Sequence, residues 1–419
     1  MASTFIIKSK ENGKYYHLSI GYVGQGSYKI RSFEDGTEKI IEHKKGNTDP
    51  FSDKRFKYEK VCPVPRHDIC DIHNVLYWKN YLETFSETKC MICYDKVQEH
   101  HQIEWRKKQN DFPQEKGKYR KKYYEHILPQ DKRTYNLFPP IRKQVDDYHK
   151  SNNFEPQTGV NNLKSSYIAC FNHLFALRND KSAVLKIAQT ISAGVFDIKD
   201  VLKIPIDKGE TEAFIAFEVI SSNDLLNEKT LTRGHNCTSI DALILAKDIK
   251  SRTIMLLIEW KYTEKYGNSD KSIEDNDKKS ANYQKGDEAT GKERLWRYST
   301  LISQSQQLKL KQENYRNSVY FFEPFYQLMR QTLWAEQMIA HKATETIKAD
   351  DFLHVHVIPK ENTGLLYKKY RCSGKEMEET WRDCLIEQNK YQIISPERLL
   401  NNIDKTKYEE LIAYLSERY

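Results

Sequence analysis

Thr238–Tyr262, TSIDALILAKDIKSRTIMLLIEWKY, decides the fold. Two apolar runs flank a charged turn, Lys247 to Arg252, so the stretch reads as two β-strands joined as a hairpin. Side chains alternate along a strand, which puts Glu259 and Lys261 on one face and Trp260 on the other. Asp241 and Glu259 lie about equally far from the turn, so pairing brings them side by side near the open end. Two carboxylates and one ammonium then meet at the edge of a sheet.

Adjacent carboxylates repel unless one is protonated or a hard divalent cation sits between them. Mg2+ or Mn2+ bound by Asp241 and Glu259 would lower the pKa of a water and stabilise charge on a phosphate. Lys261 would orient the nucleophile or neutralise the developing oxyanion. The pattern therefore predicts metal-assisted phosphodiester hydrolysis. The competing reading is a strand-end ion pair, and the triplet alone is weak, because Glu42-His43-Lys44 and Glu87-Thr88-Lys89 match it too. Context separates the three: Glu259 and Lys261 directly follow TIMLLI, where a buried strand would carry apolar residues.

These residues resemble the PD-(D/E)xK superfamily of restriction-endonuclease-like nucleases. Ile240 stands where the Pro of that name would be. The phrases SSYIACFNHLF (165–175), RGHNCTSIDALI (233–244), LIEWKYTEKYG (257–267) and EPFYQLMRQ (323–331) further resemble an uncharacterised bacterial family of restriction-endonuclease type. The likeness runs from Asn162 to the end of the chain, roughly 60% of it, enough for a full domain. It implies an α/β (α+β) core with a mixed central sheet flanked by helices. It also implies a role in restriction or anti-phage defence, with a partner protein of the defence system. RNA cleavage by the same fold, or a nucleic-acid-binding regulator that does not cut, are the alternatives.

Composition narrows the class. A mean hydropathy of −0.79 excludes an integral membrane protein, and MASTFIIKSKENGK lacks a signal-peptide pattern, so a cytoplasmic location is expected. The 419 residues carry a net charge of +8, and residues 101–150, with 13 Lys or Arg against 7 Asp or Glu, hold +6 of it. Such a concentrated patch favours a polyanion, double-stranded DNA being the expected partner. Within it, Lys116, Lys118, Arg120, Lys121 and Lys122 interleave with Tyr119, Tyr123 and Tyr124, a mixture that can neutralise phosphates while stacking on bases. A solvated surface would carry the same run.

From the N-terminus, short alternating runs predict a β-rich module over residues 1–50. Residues 51–110 are rich in Cys and His: Cys70-x-x-His73 and Cys90-x-x-Cys93 form a candidate structural zinc site, with Cys62 as the alternative to His73, against ordinary buried thiols. Residues 111–160 read as a basic, Tyr-rich linker or arm. Residues 161–360 read as the nuclease domain, opening with a helix capped by Asn161 or Asn162 that carries Asn172 as a candidate supporting residue. Glu218 on the strand FIAFEVI is a candidate further ligand, and Arg233 is placed to meet a phosphate. Residues 264–293 are almost wholly polar and predict a mobile loop. Pro324 opens an amphipathic helix on which Gln327 and Gln331 lie one turn apart. Gln327 resembles the glutamine that follows the Glu-x-Lys strand in several nuclease families. On FLHVHVIP, His354 and His356 share a face and read as structural. Residues 361–419 read as a helical cap. No nucleotide-binding glycine loop is present, and cutting both strands of a duplex would suit a homodimer.

Overall fold

The computed structural model describes residues 4–20, 27–32, 38–42, 57–64, 94–205, 213–229, 231–233, 237–267, 269–273 and 291–419. The chain divides into two compact units, Met1–Val97 and Gln98–Tyr419.

The first unit holds an antiparallel sheet of β1 (Thr4–Ser9), β2 (Tyr15–Ile20), β3 (Ser27–Ser32), β4 (Glu38–Glu42) and β5 (Tyr58–Val64), in the order β4-β3-β2-β1-β5. Ile7, Leu18 and Ile30 are buried, as the alternation of the strands requires. Cys62 lies on β5 opposite Ile6. Cys70, His73, Cys90 and Cys93 lie outside the described residues.

Helix α1 (Tyr94–Lys108) leads into the second unit. A two-stranded hairpin follows, β6 (Gly117–Tyr119) with β7 (Lys122–Tyr124), and then helices α2 (Arg142–Ser151), α3 (Ser166–Leu174) and α4 (Lys181–Ser192). The N-cap of α3 is Ser165, whose hydroxyl accepts from the Ile168 N–H, and not Asn161 or Asn162. Those two asparagines are committed elsewhere: the Asn161 amide donates to Leu128 O at 2.7 Å, and Asn162 Oδ1 accepts from the Lys164 N–H at 3.0 Å.

The main sheet of this unit comprises β8 (Ile198–Leu202), β9 (Ile215–Val219), β10 (Ile240–Asp248), β11 (Thr253–Trp260), β12 (Asp351–Val357) and β13 (Tyr391–Ile394). Its order is β13-β12-β11-β10-β8, with β9 also paired to β10. The sheet is mixed, since β10 is antiparallel to β8, β9 and β11, whereas β11, β12 and β13 run parallel. Strand β13 lies in a segment whose sequence reads as helical. Its four residues, YQII, are too few to show a period of two.

Two layers of helix cover the sheet. On one face Leu243, Leu245, Met255 and Leu257 share a buried cluster with Leu328, Met329 and Leu333 of α6 (Phe325–Ala340), which follows α5 (Gly291–Gln304). On the other, Phe217 stacks on Phe171 of α3 at 4.3 Å and Trp260 meets His173 at 4.7 Å. Each such aliphatic or aromatic side chain removed from water contributes roughly 1.5–3 kcal/mol. Helices α7 (Met377–Asp383) and α8 (Glu409–Arg418) complete the unit.

The polar stretch 264–293 is ordered at its start. Glu264 O and Tyr266 O accept from Asn362 and Lys368, and Asp270 bridges to Phe322. Residues 268 and 274–290 lie outside the described residues. Among the described residues no helix is long and apolar enough to cross a membrane.

Candidate active site

Strand pairing assembles the site. On β10 and β11 the register pairs Ala242 with Ile258, so one step further Asp241 stands opposite Glu259. On the other side of β10, Ile240 pairs with Val219 and Ala242 with Phe217, which sets Glu218 against Asp241. Across β11, Glu259 pairs with His356 of β12. Glu218, Asp241, Glu259 and His356 thus form one row over four adjacent strands.

Lys261, one residue beyond β11, returns to this row. Its ammonium lies 2.5 Å from Glu259 Oε1 and donates to Gln327 Oε1 at 2.7 Å. Glu259 is 1% exposed and Lys261 5%. Gln331, one helical turn past Gln327 on α6, donates its amide to Glu259 Oε2 and to Ser239 O. Its own Oε1 is buried and meets no hydrogen-bond partner among the described residues. Asp241 is half-buried, and its Oδ2 accepts from the Trp260 N–H at 2.7 Å.

Glu218 sits at a positive φ of 49°, a conformation that few side chains adopt and that breaks the alternation of β9. Its carboxylate accepts from Gln157 Nε2 and Ser239 Oγ, both at 2.9 Å.

The electrostatics follow from crowding like charges out of water. Burial, then Glu259 and Glu218, push the Asp241 carboxyl well above the usual range, only partly opposed by Lys261 and the Trp260 N–H. Glu218 is raised to about 7, chiefly by burial and against its bonds to Ser239 and Gln157. Burial works against the charge on Lys261, but Glu259, Tyr266, Glu264 and Asp241 outweigh it and hold the ammonium protonated. His356 is driven well below its ordinary value and His354 to about 3, by burial and then by Lys261, so both rings are neutral.

The donor set suits a hard cation. Asp241 and Glu259 offer only oxygen, and Asp241 Oδ1 has no hydrogen bond among the described residues. Among those residues, too, no group of three or more His, Cys, Asp or Glu side chains is placed to hold a metal ion. Mg2+ needs none, because it retains waters and takes one or two carboxylates together with substrate phosphate.

The other candidate residues lie elsewhere. Asn172 is fully buried; its Oδ1 accepts from the Phe138 N–H at 2.8 Å and its amide donates to Tyr419 Oη at 2.8 Å, tying α3 to the C-terminus. Arg233 turns inward: its guanidinium stacks on Phe154 at 4.4 Å and bonds Glu218 O, Phe217 O and Tyr148 Oη. Lys118, Arg120, Lys121 and Lys122 belong to the β6–β7 hairpin, a separate surface element, and Lys116 directly precedes it. Two participants were hard to single out. Gln331 carried the same i, i+4 signal as Gln327, and Gln157 carries none.

No curated protein and no solved structure matches the chain. The family described as Restriction Endonuclease associating with ARP does match, over residues 98–419, the extent of the second unit. The chain belongs to this restriction-endonuclease-like family.

Proposed function

We propose that the chain is a metal-dependent endonuclease that hydrolyses phosphodiester bonds in DNA. The observation that supports this most is the meeting of Asp241, Glu259 and Lys261 at one end of the β10–β11 hairpin, with Gln327 and Gln331 gripping the last two. Asp241 and Glu259 would hold Mg2+ or Mn2+. Bound there, the ion would act as a Lewis acid on the phosphate and lower the pKa of a water. Lys261, kept protonated, is a fixed cation beside the charge that develops on phosphorus oxygens, not a base. Gln327 fixes the position of its ammonium, and Gln331 holds the Glu259 carboxylate in one rotamer.

The biological role in this reading is restriction of foreign DNA, and the family's name adds association with ARP as a partner. A second copy of the chain would serve the opposite strand of a duplex. The N-terminal third would choose the target.

The test is cleavage of supercoiled plasmid, linear duplex, single-stranded DNA and RNA by the full chain with Mg2+ or Mn2+, beside EDTA and the Lys261→Ala variant. Metal-dependent cutting of DNA that disappears in the variant is expected. Cutting that survives Lys261→Ala, or confined to RNA, would overturn the proposal.

A further inference from the structure

The β6–β7 hairpin presents more chemistry than its size warrants. Three residues per strand cannot hold a hairpin in water unaided, yet this one is held from below. The buried guanidinium of Arg106 donates to the carbonyls of Pro113 (2.7 Å) and Glu115 (2.7 Å) before β6 and of Glu125 (2.5 Å) after β7, clamping both legs. Gly117 N–H donates to Ile127 O at 2.6 Å, and a Cβ on Gly117 would stand 2.1 Å from Leu128 O. Only glycine allows that approach.

Among the described residues the tip stands open to solvent. Lys118 through Tyr123 are all exposed, Tyr119 by 52% and Tyr123 by 66%. Lys118, Arg120, Lys121 and Lys122 have no carboxylate partner among the described residues, and only Lys116, at the base, is paired, with Glu125 at 2.7 Å. The turn residues Arg120 and Lys121 have φ of 44° and 70°, left-handed values that tight hairpin turns normally give to Asn-Gly. Two long cations there strain the backbone, and folds retain such strain where the side chains are used.

The pairing of side chains indicates the partner. Lys118 stands opposite Tyr123 and Tyr119 opposite Lys122, so each face of the ribbon carries one Lys and one Tyr, and Arg120 and Lys121 lead. A ribbon resting on a surface would be one-faced. One that enters a slot with anionic walls on both sides would look like this. The B-DNA major groove, about 12 Å wide, admits a two-stranded ribbon between two lines of phosphates, whereas the minor groove, about 6 Å wide, does not. The major groove of A-form RNA is also too narrow. We infer that the β6–β7 hairpin is a DNA-docking element that enters the major groove of duplex DNA. The inference rests on reading the chain as a nuclease of DNA.

The test uses the full chain, in EDTA, and fluorescence titration of a labelled DNA duplex and its RNA counterpart from 50 to 300 mM salt. The variant Lys118→Thr/Arg120→Asn/Lys121→Gly/Lys122→Thr removes four cations while suiting the turn and strands better than the natural residues. Its affinity for the DNA duplex should fall at least tenfold at 100 mM salt, and the slope of log K against log salt should flatten by about 3.6, near 0.9 for each of the four phosphates no longer neutralised. The RNA duplex should bind more weakly than DNA and respond little to the variant. Unchanged DNA affinity and slope, equal losses on both duplexes, or no DNA binding by the natural chain would each overturn the inference. Cleavage scores the nuclease reading separately. Hairpin-dependent binding without any cutting would sink that reading alone, and cutting with hairpin-independent binding would sink the docking element alone.

Discussion

The backbone N–H of Trp260 donates to Oδ2 of Asp241 at 2.7 Å, spending a ladder donor on a carboxylate that Glu259 and Glu218 both repel. The contact fixes Asp241 beside Glu259 at a cost in stability. Asp241→Asn keeps an oxygen for that N–H and removes the repelled charge. Without metal at pH 7.5 the variant should be more stable, by about 1 kcal/mol, while cleavage falls by about a thousandfold or more. Urea unfolding beside the plasmid assay reads both. A variant less stable than the natural chain would mean that the three carboxylates do not strain one another.

The buried pair Lys261–Glu259 makes a different prediction. Losing one partner strands the other charge away from water, so Lys261→Met should cost about 3–5 kcal/mol. Lys261→Met/Glu259→Gln strands neither and should recover most of that loss, yet remain as inactive as the single variant. If the double variant unfolds at the same urea concentration as Lys261→Met, the coupling is absent.

Much of this arrangement was legible in the chain. A period of two around a charged turn is local information, and equal distances from that turn place Asp241 opposite Glu259. What was hidden depends on contacts distant in sequence. Glu218 joins the row only through the pairing of β9 with β10, and its φ of 49° departs from any strand pattern. Asn172 and Arg233 are polar residues near motif residues, and such placement does not show whether a side chain turns toward the site or toward the backbone of a neighbouring strand. Gln327 and Gln331 are one turn apart, and the helix alone does not show that one meets Lys261 and the other Glu259.

His149 and His173 set an acid limit on the fold. Burial, then Arg133 and Arg233, lower His149 to about 4; burial lowers His173 to about 4 as well. Both folded values lie below the unfolded one of about 6.5. Unfolded chains therefore bind protons between pH 6.5 and 4 that the folded chain refuses. The stabilisation is full above pH 6.5 and lost as pH falls toward 4, at about 1.4 kcal/mol per pH unit for each ring. Glu218, raised to about 7, titrates with the opposite sign and masks part of the profile. The difference between the natural chain and His149→Phe isolates the ring. The natural chain should lose stability relative to His149→Phe as pH drops from 7 to 4.5, and a pH-independent difference would show that His149 binds protons equally in the folded and unfolded chains.

Asp180 tests the join between α4 and the C-terminal segment. Its carboxylate caps α4 by accepting from the N–H groups of Ser182 (2.9 Å) and Ala183 (3.2 Å), and it also accepts from Lys407 Nζ (2.6 Å) and Tyr408 Oη (2.7 Å). Burial opposes the charge, but Lys407, Tyr408 and the two N–H groups prevail and lower the group to about 2. A depressed carboxylate stabilises above its unfolded value near 3.9, and this contribution, about 2 kcal/mol, fades as pH falls toward 2. Asp180→Asn retains an oxygen for the cap but loses the charge for Lys407; Asp180→Ala loses both. Unfolding at pH 6 should rank the natural chain above Asp180→Asn and Asp180→Ala last, with about 1 kcal/mol between the two variants from the cap. At pH 3 the gap between the natural chain and Asp180→Asn should shrink. Equal stability of the two variants at pH 6 would show that the side chain acts through Lys407 and Tyr408 alone and does not cap the helix.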